Sequence, residues 1–399
     1  MDIKDKLAYY SAYRKKPKNS KSDNVYSSLQ ALRDYFDGEF SEPSTSYLKI
    51  SRKFSLFKEQ NDSTIAIPFL SANKHKAAFN LKDCIFFDLE TNGLAGGAGT
   101  FAFLLGFGYV EDGDLIVNQY FLPDYGREYS LYTQLLNMLN QYHTLISYNG
   151  KSYDFPLFKT RLILNHLPGE FNSLQHVDLL HIARRIWKRS LPACDLNSIE
   201  TYVLQKERSE DIPGYLIPQA YMNFLQTGVI HDIIKIIEHN YHDIVSLAQL
   251  LLLFNRIEKE PNLLKDNQAL FSLAQLAYKQ NHQAYLNRFI TEYEKHRDPN
   301  KTEQMLVWQS LLHKKRSEWV EAISLWENLI RSRKFGLFAL EELAKYEEHV
   351  VKNYERALQL TTRAIHNVQT LNELHSTVFQ DDALSRFLHR RRRLQGKLS

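Results

Sequence analysis

Two acidic residues, Asp88 and Glu90, lie at the far end of an apolar run, Cys84-Ile-Phe-Phe-Asp-Leu-Glu-Thr-Asn-Gly-Leu94. Ile85–Leu89 reads as a short buried strand, closed by the turn residues Asn92 and Gly93. Residues two apart on a strand point to the same face, so the two carboxylates share one. A buried carboxylate is costly, and a close pair repels unless it is protonated or neutralised by cations. Such hard oxygen donors suit divalent metal. A lone D-x-E is more often a strand running out into a polar turn; the acids that follow reverse that.

Asp154 comes after the turn Tyr148-Asn-Gly-Lys-Ser-Tyr, where a helix begins. By itself it reads as a helix N-terminal carboxylate favoured by the dipole. Asp243 stands on a helix otherwise built of Ile, Leu, Val and Ala, where a charged side chain is rarely buried without a partner. Asn240 at i−3 and His239 at i−4 share its face, and Tyr241 points roughly the other way. Asn149, Lys151 and Asn240 are candidate substrate contacts, Lys151 as a phosphate partner beside the acids. Asp178 reads as the cap of the helix that follows it rather than as a fifth ligand. Arg184/Lys188 and Arg185/Arg189 make two basic rows, either phosphate contacts or a solvated face. His181 and His231 read as structural.

An α/β segment must position these groups. Strands are predicted at Ile85–Leu89, Phe101–Val110 and Leu115–Leu122, the last two a hairpin about Glu111-Asp-Gly-Asp114. A helix over Arg127–Tyr142 leads to strand Thr144–Tyr148 and helix Leu157–Leu164. A fifth strand, Gln175–Leu179, precedes a basic helix at His181–Arg189, and a long apolar helix covers Ile230–Ile257. Gly96, Gly97 and Gly99 lack the Lys-Ser/Thr of a phosphate loop and precede a strand, so they read as a flexible loop beside the carboxylates. Residues 1–81 form a basic N-terminal extension with an exposed linker, Arg14–Lys21, and a helix over Tyr26–Tyr35. The α/β domain spans 82–257. After Pro261 amphipathic helices run to about Leu371, and 372–399 is a mobile basic tail. At an offset of 35 residues Trp319 matches Tyr354, Ala322 matches Ala357 and Leu325 matches Leu360. That period fits tetratricopeptide-like hairpins over 262–371; a non-repetitive bundle is the alternative.

In this order, Asp-Glu…Asp…Asp, the chain resembles the DEDD exonucleases of the ribonuclease H-like superfamily. Phe87-Asp-Leu-Glu-Thr91 and Tyr148-Asn-Gly-Lys-Ser-Tyr-Asp154 carry the likeness. His176-Val-Asp-Leu-Leu-His-Ile-Ala-Arg-Arg185, Ile212-Pro-Gly and His239-Asn-Tyr-His-Asp-Ile-Val-Ser-Leu247 look closer to the YprB-type branch, which carries a tetratricopeptide-like tail. The resemblance covers about 82–257. It implies a mixed five-stranded sheet flanked by helices, and hydrolysis of phosphodiester bonds, usually from a 3′ end. Two Mg²⁺ or Mn²⁺ ions would be held by Asp88, Glu90, Asp154 and Asp243. The superfamily places a Tyr four residues before the last Asp or a His five before it; here His239 stands four before and Glu238 five before. His239 is therefore the expected base, or a group that only hydrogen-bonds the site. The rival function is a non-cleaving nucleic-acid-binding module.

Composition bounds the rest. The chain of 399 residues, 44% hydrophobic and 24% charged, is that of an ordinary soluble protein of two or three domains. Residues 1–80 hold 14 Lys and Arg against 9 Asp and Glu, and the remainder is near neutral, so this stretch reads either as a basic arm for the phosphates of DNA or RNA or as a solvated tail. Cys84 and Cys194 belong to no zinc or redox spacing, and no signal core or 18-residue apolar stretch occurs. The expectation is a cytoplasmic protein with a nucleic-acid substrate, a protein partner at 262–371 and no membrane.

Overall fold

The computed structural model describes residues 21–41, 47–56, 64–67, 69–70, 78–93, 99–123, 128–167, 169, 171, 174–296, 302–374 and 381–398. Residues 14–20 of the linker expected at Arg14–Lys21 and residues 94–98 of the glycine loop lie outside them, and Lys21 opens the first helix. The chain forms two compact units, Met1–Leu264 and Lys265–Ser399.

The first unit opens with helix α1 (Lys21–Phe36) and strands β1 (Glu39–Phe40) and β2 (Leu48–Ser55). A small hairpin follows, β3 (Thr64–Ala66) with β4 (Ala78–Asn80). Then come β5 (Cys84–Thr91), β6 (Ala102–Glu111), β7 (Asp114–Phe121), α2 (Glu128–Leu139), β8 (Thr144–Ser147), α3 (Asp154–Leu164), β9 (Gln175–Asp178) and α4 (Leu179–Trp187). A short helix α5 (Leu196–Ile199) runs into a wide turn at Glu200–Leu204, and α6 (Ile217–Thr227) precedes the long α7 (His231–Lys259).

All five expected strands are present, and they form a mixed sheet. β5 pairs antiparallel with β6 and parallel with β8, which pairs parallel with β9. The sheet is wider than five, however: its order is β1-β2-β7-β6-β5-β8-β9. The N-terminal stretch is thus not a mere extension, because β2 pairs with the whole of β7. Its sequence, Leu-Lys-Ile-Ser-Arg-Lys-Phe-Ser, buries only Leu48 and Ile50 fully, so the strand period is carried by two residues among polar ones.

The two faces of β5 do different things. Phe87 turns to one face, where its ring meets Phe107 at 5.1 Å and Phe158 of α3 at 5.7 Å. Asp88 turns to the other, under α7. That helix comes close because β6 presents two glycines two residues apart. A Cβ on Gly108 would lie 2.6 Å from Ile244, and one on Gly106 would lie 2.3 Å from Asn240. Residues two apart on the strand thus meet residues four apart on the helix.

The described residues of the second unit hold only helices: α8 (Asn267–Lys279), α9 (Gln283–Glu294), α10 (Glu303–Lys315), α11 (Trp319–Leu329), α12 (Gly336–Tyr346), α13 (Tyr354–Leu374) and α14 (Asp381–Leu398). Ala322 and Ala357, matched by the 35-residue offset, are both fully buried. The basic end is not a loose tail. Glu348, its side chain buried, accepts from Arg390 at 3.1 Å, Arg393 at 2.7 Å and Lys397 at 3.1 Å, and so holds α14 down. A run of arginines looks solvated in sequence because its counter-charge lies over forty residues away.

Candidate active site

β5 delivers Asp88 and Glu90, the start of α3 delivers Asp154, and α7 delivers His239, Asn240 and Asp243. α7 is continuous through His239–Asp243, which puts His239 Nε2 3.6 Å from Asp243 Oδ2 and 3.8 Å from Glu90 Oε1. The other ring nitrogen, Nδ1, lies 2.7 Å from Asp211 Oδ1. Tyr241 faces away, its ring 3.7 Å beneath the Arg52 guanidinium.

Asp154 is placed by the turn before it. Asn149 has a left-handed backbone, φ +61°, a conformation Asn tolerates. Asp178 ties that turn down by accepting from Asn149 N at 2.8 Å and Lys151 N at 3.2 Å, while it caps α4 through Leu180 N at 3.1 Å. Its oxygens are occupied by backbone donors, as expected of a cap. The side chain of Lys151 is exposed beside the turn.

Charge dominates the electrostatics. Burial first, then the charges of Asp243, Glu90 and Asp154, push the Asp88 carboxyl well above the usual carboxylate range. Glu90 is raised to about 8 by burial and by Asp243 and Asp154, against the opposing pull of His239. Asp154 is raised to about 7, by burial and by Asp178 and Asp243, although its own helix backbone lowers it. Burial acts to lower His239, but Asp243, the hydrogen bond to Asp211 and Glu90 outweigh it and lift the imidazole to about 10.

Among the described residues no three His, Cys, Asp or Glu side chains converge closely enough to grip an ion as they stand. The chemistry of the donor set nonetheless fits a divalent cation. Burial, with the charges of neighbouring acids added, holds the Asp88, Glu90 and Asp154 carboxyls above the usual carboxylate range, a cost that bound cations would remove.

A profile of the RNase_H superfamily matches residues 85–255. The uncharacterized protein YprB of Bacillus subtilis (strain 168) is 36% identical over 314 residues, which cover 76% of this chain and 74% of that protein. The chain belongs to the YprB family of the RNase_H superfamily. Among solved structures, the family B DNA polymerase of the hyperthermophilic archaeon Pyrobaculum calidifontis matches with a TM-score of 0.32 at 15% identity, over 58% of this chain and 29% of the polymerase.

Within this YprB-family site one expected contact is overturned. Asn240 cannot meet a substrate, because it is fully buried and donates from Nδ2 to Asp88 Oδ2 at 2.8 Å. Sequence could place it on the Asp243 face of the helix but not say how deep that face lies. The Arg185/Arg189 row is not a free basic face either, since Arg185 donates to the Leu70 carbonyl. Arg184 and Lys188 are exposed.

Sequence reasoning missed the groups that surround the acids. Arg208 donates to Asp243 and, at 2.5 Å, to Glu200, whose side chain is 1% exposed and also accepts from Ser246. Arg208 also lies 3.5 Å from Asp211, so one guanidinium sits among three carboxylates. The hint available in sequence was Ile212-Pro-Gly, a family loop directly after Asp211.

Proposed function

We propose that this protein is a metal-dependent nuclease of DEDD type that hydrolyses nucleic-acid phosphodiester bonds from a 3′ end. The observation that carries this reading is the gathering of Asp88, Glu90, Asp154 and Asp243, in which the charge of Asp243 adds to burial in raising the pKa of the other three carboxyls. Those four residues would hold two divalent ions, Mg²⁺ or Mn²⁺. When bound, such ions polarise the phosphodiester and lower the pKa of water.

The chain's own residues do the rest. Asn240 keeps Asp88 in one orientation. Asp211 fixes the imidazole of His239 through Nδ1, so that Nε2, facing Glu90 and Asp243, is the atom that holds or moves a proton. Lys151, its side chain exposed, and Asn149, both on the turn that Asp178 ties down before Asp154, are the candidates to meet substrate phosphate.

A second reading, a nucleic-acid-binding module that does not cut, is favoured by Arg208. Its guanidinium already neutralises Asp243 and could stand where a cation would otherwise be needed. Oligonucleotides labelled at either end, incubated with Mn²⁺, separate the two readings. Cleavage from the 3′ end that Asp88→Asn abolishes supports the nuclease. Tight binding without cleavage supports the module.

For the helical unit we propose tetratricopeptide-type hairpins that dock a protein partner. Its support is the succession of similar helix pairs, with Trp319 and Tyr354 opening α11 and α13. Among the described residues no helix is long and apolar enough to cross a membrane. Cys84 and Cys194 are free thiols, in keeping with a cytoplasmic setting.

A further inference from the structure

Asp88, Gly106 and Gln119 form one row across three neighbouring strands: Asp88 pairs with Gly106, and Gly106 pairs with Gln119. Paired residues project to the same face, so Gln119 and Asp88 both face α7 from either side of a residue with no side chain. Two strand spacings, about 9.5 Å, separate them, too far for direct contact. Asn240 fills the interval, and only glycine at 106 leaves it room. Asn240 and Gln119 are both fully buried.

The hydrogen bonds between them run in one direction only. The Ile237 carbonyl can only accept, so it takes a hydrogen from Gln119 Nε2, at 2.8 Å. Arg52 can only donate, so its Nη2 meets Gln119 Oε1, at 2.7 Å. The remaining Nε2 hydrogen goes to Asn240 Oδ1 at 2.8 Å, which leaves Asn240 Nδ2 to face Asp88 Oδ2, also at 2.8 Å. Arg52 is itself fixed by Glu238 Oε1 at 2.8 Å and by the Tyr241 ring at 3.7 Å. Neither amide can be turned over without placing two acceptors or two donors against each other.

We infer that Gln119, anchored by Arg52 of β2, is a positioning residue that aims Asn240 at Asp88 and thereby holds the carboxylate in its working direction. A buried, directional N–H donor favours the ionised carboxylate and stops it rotating, which is how partners behind a ligand tune it. The catalytic consequence rests on the nuclease reading above; the relay itself does not. It also gives the N-terminal strand a task at the site, since Arg52 is the first donor of the series.

The test uses the full chain. Gln119→Glu keeps the size and the Arg52 partner but has no N–H to offer Asn240. It should accept from Asn240 Nδ2 instead and turn the Asn240 oxygen toward Asp88. Mn²⁺ affinity by calorimetry and kcat on an oligonucleotide should each fall roughly 10–100-fold, with KM little changed. Arg52→Ala should fall less far, and Arg52→Lys should recover part of that loss. A folded Gln119→Glu with wild-type Mn²⁺ affinity overturns the relay. A metal-free arm measures urea midpoints of Gln119→Leu, Asp88→Ala and the double variant. The relay predicts a combined shift smaller than the sum of the two, and strict additivity overturns it. Arg52→Ala replaces Gln119→Leu in that cycle should the latter not fold. A wild-type protein that neither binds Mn²⁺ nor cuts sinks the nuclease reading, and the urea cycle still decides the relay.

Discussion

At the scale of single residues, three carboxylates face the His239 ring and all favour hydrogen on it. Asp211 takes the Nδ1 hydrogen, while Nε2 faces two carboxylates that favour a second proton. His239→Ala should slow turnover roughly 10²–10⁴-fold while Mn²⁺ affinity by calorimetry stays near wild type. Tyr241→Phe keeps the ring beneath Arg52 and should be nearly silent; an essential Tyr241 hydroxyl would refute the assignment. The same charges set a pH dependence. His239 has a folded-state pKa of about 10 against an ordinary 6.5, so its contribution to stability is complete below pH 6.5 and is lost as pH rises to about 10. Glu90 and Asp154 are also raised, from 4.5 and 3.8 to about 8 and 7. The folded state therefore holds their protons more tightly, and their contribution too disappears as pH climbs from about 4 to 8. In a chelator the melting temperature should fall steadily from pH 5.5 to 9, and Glu90→Gln should flatten the fall. A melting temperature indifferent to pH over that range would contradict this account of the cluster. Asp88 with Glu90, and His239 with Asp243, were legible because residues two apart on a strand and four apart on a helix share a face. Arg208, Glu200 and Asp211 were not, since a loop has no period to read.

Elements show the same division. β5 to β8 and α7 are visible as apolar runs of the right length; β5 and α7 carry Asp88, Glu90 and Asp243, while Asp154 opens α3. β2 is hidden because an edge-side strand needs few apolar residues, yet it brings Arg52 to the row that ends at Asp88. The glycines of β6 could be seen in sequence but not what presses on them. Gly106→Ala should be the more revealing substitution there. Its methyl group would meet the Asn240 amide, which is held on three sides and cannot swing aside. The expected cost is about 1–3 kcal/mol in urea unfolding, the usual range for overpacking, together with weaker Mn²⁺ binding. Gly106→Ala with unchanged Mn²⁺ affinity would mean that α7 shifts bodily without disturbing Asp88.

At the scale of the whole molecule, the loss of strand signals in the C-terminal third was plain in sequence, because only helical periods follow Pro261. What the second unit does was not, since amphipathic helices of many folds share that pattern. Among the described residues all nine strands, helices α1 to α7 and each residue assigned to the site belong to Met1–Leu264. That unit has its own core, from Leu29 and Leu32 of α1 through the Phe-rich sheet to Ile233, Ile236 and Ile237 of α7. A chain ending after Leu264 should therefore unfold cooperatively and bind Mn²⁺ as the full chain does, with kcat on a short oligonucleotide unchanged. Basic residues count differently. α14 carries Arg386, Arg390, Arg391, Arg392, Arg393 and Lys397 against Asp381 and Asp382, and the buried Glu348 engages only Arg390, Arg393 and Lys397 among those cations. If Arg391 and Arg392 help to gather nucleic acid, the truncated chain should show a higher KM and a shallower dependence of binding on salt, with chemistry intact. Loss of Mn²⁺ binding in a truncated chain that still folds would show instead that the site depends on the helical unit.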